Sequence, residues 1–439
     1  MSARETALDV LIASRKQDAW VNGALKEYAD RDRLDRRDAA LAARLCYGVV
    51  QNRLLLDFYL QQLLTGKLKD LHPAVRDILH LGLYQILMMD RIPDSAAVNE
   101  SVTLAKKYCR KLRYAPGLVN AVLRNAIRSK DTLKQPIKRS IRYSHPKKLL
   151  KLLEETVGSE RMEPMLNANN GIPSTVVQVN TLKTTAEELQ KELEEQGVKA
   201  QPHSWMPDCL TLSETGNLEC LPSFREGKFY VQDAAAKLPA LCAKLPEGQN
   251  LRVLDCCAAP GGKSFAAAII MGDSGTVFSG DIHPHKLGLI ENGAERLGIH
   301  CIKTMLQNAS RPVPEWNDSM DAVIADVPCS GYGIIRKKPD IRYKDPDSMK
   351  DLPELQLAIL RQQARYVKPG GVLIYSTCTL LKRENQEVVQ AFLKENTAFH
   401  PETLPLPAPL KEDETGMITL VPGQYDTDGF FVCRMRRDL

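Results

Sequence analysis

The sequence has 439 residues, enough for about two to four domains that each bury a core. Its hydrophobic fraction of 44% and charged fraction of 26% are ordinary for globular proteins and exclude a largely disordered chain, and the net charge is only +5. The longest apolar run, Phe265–Met271, is too short to span a membrane, so neither a membrane partner nor a secretory signal is expected. The eleven scattered cysteines include no C-x-x-C pair, which favours free thiols, a cytoplasmic location and no metal site.

The first 140 residues are predicted to form an all-helical domain. Apolar residues recur at the spacing of one helix face, as at Leu79, Leu83 and Ile86, whereas strand-like alternation is scarce. Prolines near predicted helix starts support this interpretation; they are Pro73, Pro93 and Pro116. No self-complementary apolar stripe is evident, so we expect a monomer.

A strongly basic run extends from Lys106 to Lys151. It contains 15 Lys or Arg and a single acid, Asp131, so the rest of the chain carries a net charge of −9. Such a local excess predicts a surface that binds a polyanion. Solvated helix faces are the alternative interpretation, and an anionic membrane surface is disfavoured because no lipidation motif or aromatic-rich amphipathic helix accompanies the run.

Residues 145–235 are predicted to form a small α/β module. Val176, Val177 and Val179 make a short β-branched run that is typical of a strand. A charged helix is predicted from Thr185 to Gln196, and short segments separated by prolines and a glycine follow it.

Residues 236–439 alternate between predicted strands and helices. This alternation predicts a Rossmann-like domain, with a mostly parallel sheet covered on both faces and a ligand site at the carboxyl ends of the strands. The predicted fold class is therefore α/β, with an all-α domain at 1–140 and a small module at 145–235 before the Rossmann-like domain. The predicted strands are Leu251–Asp255, Thr276–Asp281, His300–Thr304, Met320–Asp326 and Gly371–Thr377.

The strongest local motif runs from Leu254 to Ser264, where a predicted strand meets a predicted helix. Its two glycines allow backbone N–H groups to approach a ligand closely. A Walker A phosphate loop is disfavoured because Cys257 stands where its first glycine is required, and the dinucleotide motif G-x-G-x-x-G is absent. A simple tight turn between strand and helix is the remaining alternative.

Asp281 ends the next predicted strand, 20 residues after Gly261. A carboxylate at this place can accept hydrogen bonds from both hydroxyls of a ribose. Together with the glycine turn, it favours an adenosine-containing ligand without phosphates, such as S-adenosylmethionine. Taken alone, Asp281 would more often cap the helix that is predicted to follow Pro284.

Two cysteines follow predicted strands at the same edge of the sheet: Cys329 in the segment Asp326–Gly331, and Cys378 at the end of Ser376–Cys378. Carbon 5 of a pyrimidine becomes nucleophilic only after a thiolate adds to carbon 6. An acid near ring nitrogen 3, here Asp326, would neutralise the developing charge, and a base would remove the carbon 5 proton so that the thiol leaves. Buried inert cysteines are the alternative, and spacing alone does not decide which cysteine attacks.

These residues resemble the RNA cytosine-5 methyltransferase family, and the similarity covers essentially the whole chain. The first domain is similar to a NusB-like RNA-binding domain, including Ala97–Val102 and Val119–Arg124. The middle part resembles the family's small RNA-binding module at Val179–Lys183, and Gln232–Ala235 leads into the catalytic domain. The resemblance implies methylation of carbon 5 of a cytosine in 16S ribosomal RNA, with position 967 as the expected target.

The resemblance also implies the roles of individual residues. Cys378 is the expected nucleophile and Cys329 the residue that assists release, whereas DNA cytosine-5 enzymes use the cysteine of the Pro-Cys pair as nucleophile. Asn308 stands where an aspartate is common, which changes the expected hydrogen bond to the adenine amino group. The residues expected to bind S-adenosylmethionine are Cys257, Ala258, Ala259, Pro260, Gly261, Gly262, Lys263, Asp281, Asn308 and Asp326.

Two other functions are weighed against this one. A non-catalytic RNA-binding assembly factor on a methyltransferase-like sheet would be favoured by loss of Thr377-Cys378 or Gly261-Gly262, and both pairs are present. A P-loop NTPase is opposed by the missing first glycine and by the lack of a clear Mg²⁺-binding pattern.

Overall fold

The computed structural model describes residues 1–17 and 19–439, and these form two compact units. The helical unit comprises Met1–Lys151 and the distant segment Lys337–Lys344. The sheet unit comprises Leu152–Arg336 and Asp345–Leu439. The three predicted domains divide the chain more finely than this and stay a prediction.

The helical unit is built around α5, which is buried along most of its length. Apolar residues of the surrounding helices pack against it in one core. Among the described residues of the chain, no helix is both long and apolar enough to cross a membrane. The helices of this unit are α1 (Ala3–Gln17), α2 (Val21–Arg31), α3 (Arg36–Gln51), α4 (Arg53–Leu63), α5 (Pro73–Met88), α6 (Asp94–Tyr108), α7 (Ala115–Ser129) and α8 (Arg139–Arg142), and α9 (Lys147–Val157) runs across the unit boundary.

Local sequence signals explain several of these helix starts. Pro73 begins α5, Pro93 directly precedes α6, and Pro116 lies in the first turn of α7. Proline suits these places because the first N–H groups of a helix have no partner within it. Asp35 caps α3 by accepting the N–H of Asp38 at 2.8 Å. The all-helical prediction for this part of the chain is confirmed.

The sheet unit begins with a small antiparallel sheet in the order β2-β3-β1-β4. The side chain of Thr185 and that of Glu188 form a reciprocal capping box at the start of α11, within the region where the charged helix was predicted. The strand predicted around Val177 is likewise confirmed. The elements are α10 (Ser159–Asn170), β1 (Thr175–Val179), α11 (Ala186–Glu195), β2 (Lys199–Pro202), β3 (Cys209–Ser213), α12 (Pro222–Arg225) and β4 (Phe229–Val231).

The large sheet has the order β10-β12-β9-β8-β5-β6-β7, and β11 pairs with β12. The neighbours from β7 to β9 are parallel, whereas β12 runs antiparallel to β9, β10 and β11. The elements are α13 (Leu238–Cys242), β5 (Arg252–Asp255), α14 (Gly262–Ile270), β6 (Thr276–Asp281), α15 (Pro284–Leu297), β7 (Ile302–Leu306), β8 (Met320–Asp326), α16 (Leu352–Ala364), β9 (Val367–Thr377), α17 (Gln386–Glu395), β10 (Phe399–Pro401), β11 (Met417–Leu420) and β12 (Phe430–Arg437).

Both faces of this sheet are buried, as the unbroken apolar runs of its strands predict. Ala322 and Ile324 of β8 belong to one core, and the alternate residues Val323 and Ala325 belong to the core on the opposite face. The parallel strands therefore lie between two helical layers, and their carboxyl ends form one edge of the sheet.

The five predicted strands are all present, and two of them have the predicted bounds. The third begins two residues later than predicted, at Ile302, and the fifth begins four residues earlier, at Val367. The antiparallel strands β10 to β12 were not predicted. In β12, the buried Arg434 forms an ion pair with Glu402, so a core position carries a charge and the strand pattern is concealed.

Candidate active site

The glycine-rich loop joins β5 to α14, as predicted. Gly261 has φ +110°, a conformation that side chains rarely adopt, and a Cβ there would lie 2.5 Å from Cζ of Phe265. The N–H of Ala258 donates to the carbonyl of Gly280 at 2.8 Å, which holds the loop beside the end of β6. The backbone is thus kept bare and close to the neighbouring strand end, as a cradle for a ligand requires.

A buried hydroxyl network supports this loop from below. Ser264 donates to the carboxylate of Asp255 at 2.8 Å, and Ser279 donates to the hydroxyl of Ser264 at 2.8 Å. Complete burial raises the pKa of the Asp255 carboxyl to about 6, although Lys263 and Ser264 partly offset the shift. Asp255 therefore organises the loop from inside the protein.

Asp281 ends β6, where it was predicted, and is nearly buried. Its Oδ1 accepts the N–H of His283 at 2.9 Å, so the residue does serve the turn before α15. That turn occupies one carboxylate oxygen through one hydrogen bond, which leaves acceptor capacity on the carboxylate. The helix-cap and ligand-binding interpretations of Asp281 are therefore compatible.

Asn308 lies just beyond the end of β7, but its side-chain oxygen turns back to its own chain. It accepts hydrogen bonds from the N–H and the hydroxyl of Ser310, at 3.0 and 2.8 Å. The preceding residue, Gln307, is buried, and neither polar atom of its amide has a partner in the protein. Gln307 was missed from the sequence, because a glutamine at a strand end carries no motif.

An ion pair lies at the centre of the sheet edge. The Nζ atom of Lys263 is 2.6 Å from Oδ2 of Asp326, and Ser376 donates to Oδ1 of the same carboxylate at 2.8 Å. Burial disfavours the ammonium form, but the charge of Asp326 outweighs it, and the pKa of Lys263 lies above its usual value. Lys263 also lies 5.5 Å from the ring centroid of Phe430, a residue that the sequence analysis did not single out.

The two predicted thiols are brought into contact. The Sγ atoms of Cys329 and Cys378 are 3.2 Å apart, and both side chains are partly accessible. Their hydrogen bond, followed by burial, raises the pKa of the Cys329 thiol well above its usual value. Cys378 is also among the groups that raise the pKa of Lys263, which means that the ammonium and this thiol interact. One thiol is thus held protonated beside another that lies in the field of a cation.

The loops that carry the two thiols are tied together by buried polar groups. Glu384 accepts the N–H of Ser330 at 2.9 Å, and the hydroxyls of Ser330 and Thr379 are 2.8 Å apart. The N–H of Gly333 donates to the carbonyl of Cys378 at 2.9 Å. Glu384 is completely buried, and its sequence neighbourhood gives no hint of this role.

The parallel order of β6, β5, β8 and β9 thus places the predicted residues at one edge, and Lys263, Asp326, Cys329 and Cys378 are brought together directly. Asp281 and Asn308 follow neighbouring strands of the same edge. Among the described residues, no group of three or more His, Cys, Asp or Glu side chains could hold a metal ion.

A sheet of this kind, with a glycine-rich loop and an acidic strand end beside it, defines a Rossmann-like methyltransferase. Residues 242–436 match the family described as 16S rRNA methyltransferase RsmB/F, residues 1–128 the NusB family, and residues 145–219 the ferredoxin-like domain of RsmF/B-like methyltransferases. The chain belongs to the RsmB/F family of 16S rRNA methyltransferases.

Individual relatives agree with this assignment. The chain is 35% identical to a probable ribosomal RNA small subunit methyltransferase B of Bacillus subtilis, over 99% of each sequence. It is 36% identical to ribosomal RNA small subunit methyltransferase B of Vibrio cholerae, over 83% of each. The crystal structure of PH0851 is 25% identical with a TM-score of 0.80 and covers 95% of this chain and 94% of that one. A methyltransferase homolog from Pyrococcus horikoshii is 26% identical, with a TM-score of 0.59, over 68% and 97%.

The position of Asp281 leads to a prediction about cofactor affinity. Replacing it with alanine should weaken S-adenosylmethionine binding by about 1–3 kcal/mol, because charge-assisted hydrogen bonds to a ribose would be lost. Asp281→Asn keeps an oxygen for the N–H of His283 and should weaken binding through loss of the charge alone. Titration calorimetry on both purified variants measures the two effects, and wild-type affinity in both would leave Asp281 with only its capping role.

Proposed function

We propose that the protein transfers a methyl group from S-adenosylmethionine to carbon 5 of a cytosine in 16S ribosomal RNA, through a covalent adduct with Cys378. The observation that carries the proposal is the contact between the sulfurs of Cys329 and Cys378 at 3.2 Å, beside the ion pair of Lys263 with Asp326. A methyl transfer to oxygen or to an amino nitrogen would need no thiol. Two thiols at one strand edge suit a reaction in which one sulfur must add and later leave.

The sulfur of Cys378 forms a bond to carbon 6 of the ring, and the electron pair of the 5,6 double bond moves to make carbon 5 nucleophilic. Carbon 5 then takes the methyl group, its proton is removed, and the bond from carbon 6 to sulfur breaks to restore the double bond. The bases and acids for these steps must lie within hydrogen-bond reach of the ring. The cluster of Lys263, Asp326 and Cys329 beside Cys378 supplies such groups.

The Lys263–Asp326 pair suits the charge that develops on the ring during addition. A carboxylate held by a lysine ammonium does not itself donate a proton readily, so the ammonium is the better partner for ring oxygen 2 and nitrogen 3. Asp326 and Ser376 fix the position of that charge in advance, and preorganised charge is an effective way to stabilise a transition state. The expected catalytic role of Asp326 is thus assigned to the pair.

Cys329 suits the release step because its raised pKa keeps it as a thiol next to Cys378. An S–H donor beside a departing sulfur stabilises the thiolate as the carbon–sulfur bond breaks. The same thiol is not required for the initial attack, which Cys378 performs. This division of roles is the opposite of the arrangement in DNA cytosine-5 enzymes.

The residues at the edge fit S-adenosylmethionine as cofactor. The bare backbone at Gly261 allows a close approach, Asp281 suits the ribose hydroxyls, and the unpartnered amide of Gln307 suits the polar edge of an adenine better than the self-bonded Asn308 does. The bound cofactor would supply an electrophilic methyl group. Lys263 and Asp326 would then lie between the cofactor loop and the thiols.

The division of roles between the cysteines predicts two qualitatively different variants. Cys378→Ala cannot form the adduct and should lose activity almost entirely. Cys329→Ala can still attack and methylate, but should stall as a covalent protein–RNA complex because release is impaired. A denaturing gel with labelled RNA should show a retarded band for Cys329→Ala and none for Cys378→Ala.

An exposed cysteine remote from motif positions, Cys220, provides the matched control, since Cys220→Ala should behave as the wild type. A retarded band in Cys378→Ala instead of Cys329→Ala would reassign the nucleophile to the Pro-Cys cysteine. Full activity in both variants would exclude the covalent mechanism.

The helical unit supplies the basic surface that the sequence predicted, and we propose that it binds RNA phosphates. All 15 Lys and Arg residues of the run Lys106–Lys151 are exposed. Lys107 is engaged by Glu5 at 2.9 Å, so it is the least suitable of them for a phosphate contact. Tyr114 is 52% exposed among these cations, which suits contact with an unpaired base.

Charge reversal tests this surface. Replacing Lys106, Arg110, Lys111 and Arg113 with glutamate should weaken RNA binding, because log Kd changes with log salt by about 0.7–0.9 for each phosphate neutralised. S-adenosylmethionine affinity should stay unchanged. Filter binding at several salt concentrations measures both the affinity and its salt dependence.

Four exposed cations of the same unit outside the run give a control with the same change in net charge: Lys26, Arg36, Arg37 and Lys67. Reversing these should weaken RNA binding far less. If both quadruple variants lose affinity equally, binding reflects overall charge and the assigned surface is wrong.

The target nucleotide is proposed as cytosine 967, because the whole chain resembles the branch of the family expected to modify that position. Bisulfite sequencing of 16S ribosomal RNA from a deletion strain should show loss of protection at this cytosine and restoration by the wild-type gene. Complementation with the Cys378→Ala gene should fail. Loss of protection at a different cytosine would retain the chemistry and correct the target.

A further inference from the structure

Eight residues that follow the Cys329 loop fold as part of the helical unit. This segment, Lys337–Lys344, is called the anchor segment here. Its Arg342 is completely buried, and Nη1 donates to the carbonyls of Gln51 at 2.9 Å and Tyr143 at 3.4 Å. Burial lowers the pKa of Arg342 to about 10. A buried guanidinium that bonds backbone carbonyls costs much to displace, so the segment is firmly held.

Two further residues of the anchor segment strengthen its attachment. The hydroxyl of Tyr343 donates to the carbonyl of Val50 at 2.9 Å, and the guanidinium of Arg53 stacks 3.6 Å from the centre of the tyrosine ring. The carboxylate of Asp340 accepts the N–H of Val21, the first residue of α2, at 3.0 Å. The segment thus joins the fold of the helical unit at three separate places.

The residues just before the anchor segment are fixed to the catalytic loop. Gly333 donates its N–H to the carbonyl of Cys378 at 2.9 Å, and its own carbonyl accepts the N–H of Gly429 at 2.8 Å. A Cβ at Gly333 would lie 2.1 Å from the oxygen of Gly429, so only glycine allows this approach. The backbone of the nucleophile is therefore held by a chain that continues directly into the anchor segment.

We propose that Arg342 and Tyr343 are positioning residues for the methyl transfer. By fixing the anchor segment in the helical unit, they restrain the loop from Cys329 to Arg336 and, through Gly333, the backbone of Cys378. This inference rests on the proposed function, because it assigns a role in the reaction of Cys378. The helical unit then contributes to the chemical step in addition to binding RNA.

The test loosens the link while keeping both of its ends. Two glycines are inserted between Arg336 and Lys337 of the full-length protein in the Cys329→Ala background, where the adduct accumulates. The matched control carries the same insertion between Thr65 and Gly66, in an exposed turn of the helical unit. The rate of adduct formation is measured at saturating RNA and S-adenosylmethionine, and the affinities for both are measured separately.

The expected result is a drop in the adduct-formation rate of about 10- to 100-fold for the link insertion, with unchanged affinities, because small misplacements of reacting groups cost rates of this order. The control insertion should react at the parent rate. Arg342→Met should reproduce the slow rate, and Arg342→Lys, which keeps a buried cation, should recover part of it.

Three outcomes overturn the proposal in distinguishable ways. Equal rates for the link and control insertions would show that the anchor segment has no part in positioning. A slow reaction explained entirely by weaker RNA binding would make the segment a structural part of the RNA-binding unit. Absence of adduct in the Cys329→Ala parent itself would refute the proposed function, and the positioning role with it.

Discussion

The parallel pairing of β8 with β9 is the constraint on which the candidate site depends. In this register Asp326 lies beside Ser376, so the residues that follow each strand emerge side by side. The thiols of Cys329 and Cys378 meet because one follows β8 by three residues and the other follows β9 directly. A shift of the register would also place Ser376 away from the carboxylate that it now bonds. The thiol contact and the ion pair are therefore both products of one strand pairing.

The buried charges near this pairing form a connected set. Lys263 is held by Asp326, and Glu384 holds the N–H of Ser330 behind the Cys329 loop. Removing one partner of a buried ion pair leaves an uncompensated charge and costs about 3–5 kcal/mol. Such groups are therefore retained together, and they keep the polar side chains of the site in one arrangement before any substrate binds.

The sequence allowed most of the fold to be predicted where local signals agree. The strand Met320–Asp326 is an apolar run that ends at a carboxylate, and its predicted bounds match the structure. The strand Phe430–Arg437 was missed because Arg434 is buried by pairing with Glu402, a long-range contact that no local pattern reveals. The residues with chemistry at strand ends could be named in advance, but the supporting residues Gln307 and Glu384 could not, since their burial depends on tertiary packing.

The anchor segment has a consequence for how this protein can be divided. The helical unit consists of two pieces of chain, so a cut near residue 151 does not release it as a terminal module. A fragment that starts after the cut keeps Arg342 but loses the carbonyls of Gln51 and Tyr143, and it exposes a guanidinium that was completely buried. The isolated helices would in turn lose the side chains that fill the space beside Val50. Recombination between relatives at this boundary would therefore have to exchange both pieces together.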